Sequence, residues 1–543
     1  MKKIIIVCLS EIALLIMVFS CLRPVLAHFN IYDEDLVKER NTIHVRMLDE
    51  PDNRSYGNEM RILYVKVNGK NLDLAAYDTE DWVWHGEWGY TLFTSGDHDF
   101  YIHIDEKLHT LDFCYIKQEG SGKCEIYLND HLEKTPDMYS SKWKNANLFI
   151  SFLSPGQMIF RGAEIWMLLS LLLFICVKAV RTWKYGSENT ELKFGIGTFN
   201  LAKGLGIVLI VFVHAGLCVL TAEDIVSGSL ILAVLFIFLT YGLIPAFFIM
   251  GGFGRKNKRV SAGVKTSLKE MLVPYAVISL IIGICFLLKA NISSTYGFGE
   301  LKKDIISLAL MLIHDKDING VFFRSIGPLW FTTSFALGSI LFSLALAVKK
   351  EIVRYAVIVI MLILTGFLMS EDLAFFCITT GLMAALYMYA GHVIHEGKLL
   401  KNNGRKYAVI LALILPVMLL AVLNGTSFAV SGNTMGNSFV LGVIVSILAA
   451  VIYIKVCVNF YVAFPGKFRV LGMIGRYSYP IFFAHALEYM IIPWRDIAEY
   501  LPENKAVRIL IIFFLRSAVI ALFTLIFLAL SRIKKHKTEP VHT

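Results

Sequence analysis

Charge is scarce in this chain. Only 17% of its 543 residues are Asp, Glu, Lys or Arg, against 56% apolar. A soluble protein has no interior large enough to hide that much apolar surface, so the composition excludes an ordinary soluble fold and describes a polytopic membrane protein. Low-complexity segments and internal repeats are absent, which excludes solenoid architectures. The nine cysteines show no metal-ligand spacing; seven lie in or beside apolar runs and read as small core residues, so no metal site is expected. The net charge of +9 does not indicate nucleic acid. Lys and Arg fall mostly in short segments between apolar runs, where they set orientation. No segment on the basic side is long enough for an output domain, which counts against a sensor.

What is present falls into blocks. Residues 1–27 begin Met1-Lys2-Lys3, continue as an apolar run and end Val25-Leu26-Ala27; they read as a signal peptide or an uncleaved N-terminal anchor. Residues 28–155 are polar, with short alternating segments that predict a small all-β, sandwich-like domain. Arg61–Val67 runs into Asn68-Gly69, a two-residue hairpin signal, and on to Lys70–Leu74. Phe100–Ile104, Leu108–Ile116 and Lys123–Leu128 read as further strands. Cys114 and Cys124 flank the turn cluster Glu119–Gly122, where they form either a cross-hairpin disulfide or two buried thiols. Trp82, Trp84 and Trp88 crowd one segment; they serve core packing, the commoner use, or stack on sugar rings.

Residues 156–184 form one membrane span closed by Lys178, Arg181 and Lys184, which makes that end cytoplasmic and residues 28–155 extracytoplasmic. Residues 195–535 hold about ten core spans, at ~201–220, ~229–253, ~271–289, ~329–348, ~355–369, ~373–395, ~407–423, ~437–457, ~472–493 and ~507–530, with every second end basic. The segment Ile305–Ile326 carries His314, Asp315 and Asp317 and reads as an outer, re-entrant-type loop. Residues 536–543 are a cytoplasmic tail.

Four polar spots break the apolar pattern. In Phe199–His214, ten residues separate Lys203 from His214, a rise of roughly 16 Å that places His214 near mid-depth if Lys203 lies at a membrane face. An ionisable group there is a functional candidate, the alternative being a His satisfied by a neighbouring helix. The basic loop 255–269 contains Lys265 and Lys269, one helical turn apart and suited to a phosphate, although a plain positive-inside loop is the commoner source of such charge. Gly327-Pro328-Leu329-Trp330 opens a helix with an interfacial Trp. Ile474–His485 repeats the first arrangement, with Arg476 at the entry and His485 deeper. Glu488 shares a helical face with His485, and Arg516, mid-span in the last helix, is a buried cation for which Glu488 is a candidate partner.

These residues resemble the membrane O-acyltransferases of acyltransferase family 3 over roughly Thr198–Lys535. Asn200, Lys203, Gly204 and His214 match the family's acid–base–Gly pattern with a later His; Lys at 203 resembles the fucose O-acetylase-like branch, while Asn200 departs from the usual Asp. Phe247–Phe253, Pro274-Tyr275, Pro328–Phe331 and Gly475–His485 follow in the family's order. The resemblance implies a bacterial plasma-membrane enzyme moving an acyl group, usually acetyl, from cytoplasmic acetyl-CoA to a hydroxyl of an envelope glycan or lipid-linked saccharide. His214 is then the general base, since a neutral imidazole can take an alcohol's proton near pH 7. Lys203, Lys265, Lys269 and Arg476 are candidate contacts for the donor, and His485 and Glu488 candidate orienting groups. The alternative is a transporter or flippase without covalent chemistry; paired inverted repeats would favour it, and none is found.

Overall fold

The computed structural model describes the chain apart from residues 1, 28–29, 49–54, 56, 78–81, 86–89, 94–98, 141–143, 186–194, 221–229, 255–259, 293–295, 319–320, 401–437, 465 and 539–543. The expected span at ~407–423, Trp88, and the first basic residues of the 255–269 loop lie outside the described residues. The chain divides into two compact units, residues 1–171 with 223–231, and residues 172–222 with 232–543.

Among its described residues, the first unit holds two β-sheets. β3 (Met60–Val67) and β8 (Thr110–Lys117) belong to a seven-stranded sheet, β2 (Asn41–Leu48) and β9 (Lys123–Leu128) to a four-stranded one. Alternation along β2 buries Ile43, Val45 and Met47, which meet Ile62 and Phe113 from the other sheet in one core. This is the sandwich that a period-2 pattern with one buried face produces. The turn after β3 works as its sequence implies: Asn68 and Gly69 both have positive φ (50° and 79°), as a type I′ turn requires.

Two expectations resolve here. Cys114 sits on β8 and Cys124 on β9, strands of different sheets, so they do not face each other across a hairpin; both are free and buried. Burial pushes both thiols up from their usual range, which leaves them poor nucleophiles. Trp82 is fully buried and stacks on Phe100 at 4.9 Å, a core role.

Two helices complete the described part of this unit: α1 (Lys2–Ala27) and the first half of α2 (Pro155–Tyr185). Ser170 of α2 donates to Glu11 of α1 at 2.6 Å. A Cβ on Gly162 would lie 2.6 Å from the Phe19 ring, so the missing side chain admits the neighbouring helix. Arg161 and Glu164 form a buried ion pair at 2.9 Å, one turn apart on α2.

The second unit is helical. Among the described residues of the whole chain, eight helices are long and apolar enough to cross a membrane, the α1 segment Ser10–Ala27 and seven in this unit. A multi-pass membrane protein follows from their length and composition. From Ile196 onward the described α-helices are α3 (Ile196–Leu217), α4 (Leu230–Gly252), α5 (Val260–Ser267), α6 (Val273–Ile292), α7 (Phe298–Leu310), α8 (Trp330–Ala347), α9 (Glu351–Ser370), α10 (Ile378–Glu396), α11 (Phe439–Ala463), α12 (Arg469–Arg476), α13 (Ser478–Ile491), α14 (Trp494–Glu499) and α15 (Lys505–Thr538). Small residues set the closest approaches: a Cβ on Gly252 would lie 1.9 Å from the Met388 carbonyl, and one on Gly391 2.1 Å from that of Ile249, locking α4 to α10.

Three differences from expectation bear on the site. The single span expected at ~472–493 is two helices, α12 and α13, meeting at Tyr477. Pro480 falls in the first turn of the second, where a missing N–H costs nothing. The expected loop at Ile305–Ile326 is partly α7, whose buried face carries Leu301, Asp304 and Leu308, followed by a small hairpin of Lys316–Ile318 and Val321–Phe323. Its charged outer face hid the helix. Residues 268–272 form a π-turn between α5 and α6, which inserts extra backbone into what reads as continuous helix.

Outside the spans, Asp372 anchors the hairpin. His314 pairs with it at 2.9 Å and Lys316 pairs with it as well. Burial raises the Asp372 carboxyl, but the hydrogen bonds from His314 and Lys316 outweigh it and hold the group down to about 2.

Candidate active site

α3 positions the first two groups. Lys203 and His214 are eleven positions apart, three helical turns, so they share one face within ~20°. His214 lies in the last turn of α3 and Lys203 seven residues from its start, so the helix midpoint falls between them rather than at His214. Both side chains line one cavity of about 390 Å³ together with His485. Phe247, Trp330, Phe331 and Phe482 make much of its wall, so the cavity is apolar with few polar groups, the usual character of a small-molecule site.

Behind His214 runs a chain of hydrogen bonds. Its Nδ1 lies 3.0 Å from His485 Nε2, and His485 Nδ1 lies 2.8 Å from Glu488 Oε1. Arg516 donates to the same carboxylate oxygen from Nε at 3.2 Å and Nη2 at 2.8 Å. Trp494 Nε1 donates to Glu488 Oε2. His485, Glu488 and Arg516 are buried, the last two completely.

The network assigns the tautomers. Arg and Trp side chains can only donate, so both Glu488 oxygens accept, and His485 Nδ1–H donates to Oε1. His485 Nε2 is then the acceptor for His214 Nδ1–H. His214 Nε2 is left with a lone pair and no protein partner among the described residues. Arg516 also donates from Nη1 to the His214 carbonyl at 3.3 Å and approaches the Cys218 sulfur at 3.4 Å, fixing the end of α3 that carries the imidazole. Tyr489 completes the cluster, its ring 5.1 Å from that of His214 and 5.5 Å from the guanidinium.

The structure thus gathers Lys203, His214, His485 and Glu488, with Arg516 on Glu488. It does not gather the remaining candidates. Lys265 and Lys269 are exposed and do not line the cavity, and Lys269 falls inside the π-turn, which upsets the one-turn spacing that paired them. Arg476 is exposed at the end of α12 and also outside the cavity lining. The motif glycines beside these residues have a packing reason: a Cβ on Gly204 would lie 1.9 Å from the Leu471 carbonyl, and one on Gly475 1.7 Å from that of Asn200. Sequence reasoning missed Trp494, Cys218 and Tyr489. The signal for Trp494 was available, since a buried carboxylate needs more donors than one guanidinium supplies to a single oxygen.

A family model described as an acyltransferase domain matches residues 196–531, more than half of the chain. The chain belongs to acyltransferase family 3. It is therefore a membrane acyltransferase, and the transport reading without covalent chemistry gives way. No curated protein and no solved structure matches the chain. The residues matched in acyltransferase family 3 include every member of the hydrogen-bonded chain from His214 to Arg516.

Proposed function

We infer that the protein transfers an acyl group, acetyl by preference, from an acyl-CoA to a hydroxyl of a cell-envelope saccharide. The observation that carries this reading is one cavity bounded by a cation, Lys203, and by an imidazole whose free Nε2 is set by a buried carboxylate. His214 Nε2 takes the proton of the acceptor hydroxyl as its oxygen attacks the thioester carbonyl carbon. The tetrahedral intermediate collapses with cleavage of the C–S bond, and the departing thiolate takes the proton back from His214. His485 and Glu488 hold the tautomer and support the imidazolium while it exists. Lys203 meets negative charge on the donor, and the aromatic wall suits its acyl and pantetheine portion.

The basic ends of the spans favour Lys203 facing a cytoplasmic donor pool, residues 28–155 lying outside and the C-terminus inside, in a bacterial plasma membrane. The test is transfer of label from [acetyl-¹⁴C]acetyl-CoA into saccharide by membranes containing the chain. His214→Ala should lower the rate by at least ~100-fold without removing the protein from the membrane. Equal labelling by that variant would overturn the mechanism.

A further inference from the structure

We propose that a second pocket, walled by Tyr489, receives the acceptor, and that it takes one neutral sugar ring with adjacent hydroxyls. This rests on the acyl-transfer reading above. The pocket measures about 240 Å³, and Lys289, Tyr296, Asp304, Asp315, Arg324 and Tyr489 are among its lining residues.

Its chemistry differs from that of the first cavity. Two cations and two carboxylates line one small space, so their charges balance and the pocket offers both donors and acceptors. That suits a neutral polyol, whose every hydroxyl both donates and accepts. A charged acceptor would meet repulsion from one pair, and an apolar alcohol would desolvate four charged groups without replacing their water. Tyr489 supplies aromatic surface for the C–H face of a sugar; the Tyr296 ring already carries Lys289 Nζ 4.8 Å from its centroid. The carboxylates are already held in place: Asp304 accepts from the Tyr296 hydroxyl at 2.5 Å, and Asp315 from the Ser325 N–H at 2.7 Å.

Position supports the assignment. The pocket residues come from the C-terminal ends of α6 and α13, from Tyr296 and the α7 residue Asp304, and from the chain between α7 and α8, whereas Lys203 lies in the first half of α3. The two spaces adjoin at consecutive residues, Gly327 lining the second and Pro328 the first. Gly327 has φ +54°, and a Cβ there would lie 2.7 Å from Met490 Sδ and 3.0 Å from Tyr489 Cδ1. A side chain there would displace Tyr489 and Met490, both of which line the second pocket. Tyr489 of the second pocket lies ring to ring 5.1 Å from His214 of the first, so an acceptor held there is one ring away from the base that the donor meets, and direct transfer needs that proximity.

The test uses the full chain in membrane vesicles fed [acetyl-¹⁴C]acetyl-CoA, with the saccharide and lipid fractions of those membranes counted separately. Binding of acetyl-CoA to the purified chain is measured in parallel. Arg324→Gln and Lys289→Gln should each cut label in the saccharide fraction by ~10-fold, the loss of one charge-assisted hydrogen bond, while acetyl-CoA binding changes less than ~2-fold. Wild-type transfer by both variants overturns the pocket and leaves the acyl-transfer reading standing. Label accumulating in lipid alcohols, or equal loss of transfer and donor binding, also overturns it. Absence of transfer by the wild type removes the acyl-transfer reading itself.

Discussion

Among the described residues, two guanidinium–carboxylate pairs are buried, one in each unit. Arg161 and Glu164 lie one turn apart on a single helix at 2.9 Å. Arg516 and Glu488 join two helices, 28 residues apart in sequence, at 2.8 Å. Burial and geometry are nearly the same. The difference is where the charge lies: Glu488 continues through His485 to an imidazole on a cavity, whereas Arg161 and Glu164 belong to the other unit and line neither cavity described above. A buried ion pair is therefore no sign of a site by itself. A buried pair that orients a titratable group facing open space is one, because it sets which nitrogen carries the proton.

The sharpest way to break this comparison is Glu488→Gln. Oε1 accepts from both His485 and Arg516, so the amide keeps its oxygen there and turns its NH₂ against the Trp494 N–H; the tautomer holds, but the negative charge that supports the imidazolium is gone. A fall in kcat on the order of 10²-fold is expected, with the donor KM little changed; unchanged kcat would show that the carboxylate's charge does not support the imidazolium. Next is Lys203→Ala, which should raise the KM for acetyl-CoA by ~10-fold through loss of one charge-assisted contact. A fall in kcat alone would move Lys203 from donor binding to chemistry. On the other side of the comparison, Glu164→Gln should lower stability by about 1–3 kcal/mol, read as a lower Tm, with no change in transfer per folded molecule. Kinetic change there would erase the distinction between the two pairs.

The smallest effect is expected at Asp372→Asn. Its carboxyl is held down to about 2, so its contribution is present above the ordinary carboxylate range and fades as pH falls towards that value. The group is about half exposed, so the substitution should lower Tm by only a few degrees at neutral pH. The difference between the two proteins should shrink as the pH approaches 2.

The legible part of the chain was set by local rules. Alternation wrote the strands, Asn68-Gly69 wrote the turn, and a three-residue offset placed Glu488 beside His485. The partner of Arg516 was also readable, because a mid-span cation has few acceptors to choose from. The hidden parts depend on contacts distant in sequence or on irregular backbone. Cys114 and Cys124 look like neighbours across a turn, yet pairing with β3 and β2 draws their strands into separate sheets. The π-turn at 268–272 moves Lys269 off the regular helix, and periodicity cannot show an inserted residue. Trp494 has no signal of its own; only the donors that a buried Glu488 needs point to it.

The reciprocal contact of α3 and α12 has a consequence for how such chains are recognised. Gly204 touches the backbone at Leu471, and Gly475 touches the backbone at Asn200, so each helix is keyed into the other by a vacancy rather than a side chain. A motif search anchored on those glycines would recover sequences that share this joint, whether or not they retain the imidazole chain. Sorting working enzymes from inactive descendants would call for tracking the histidines and Glu488 instead.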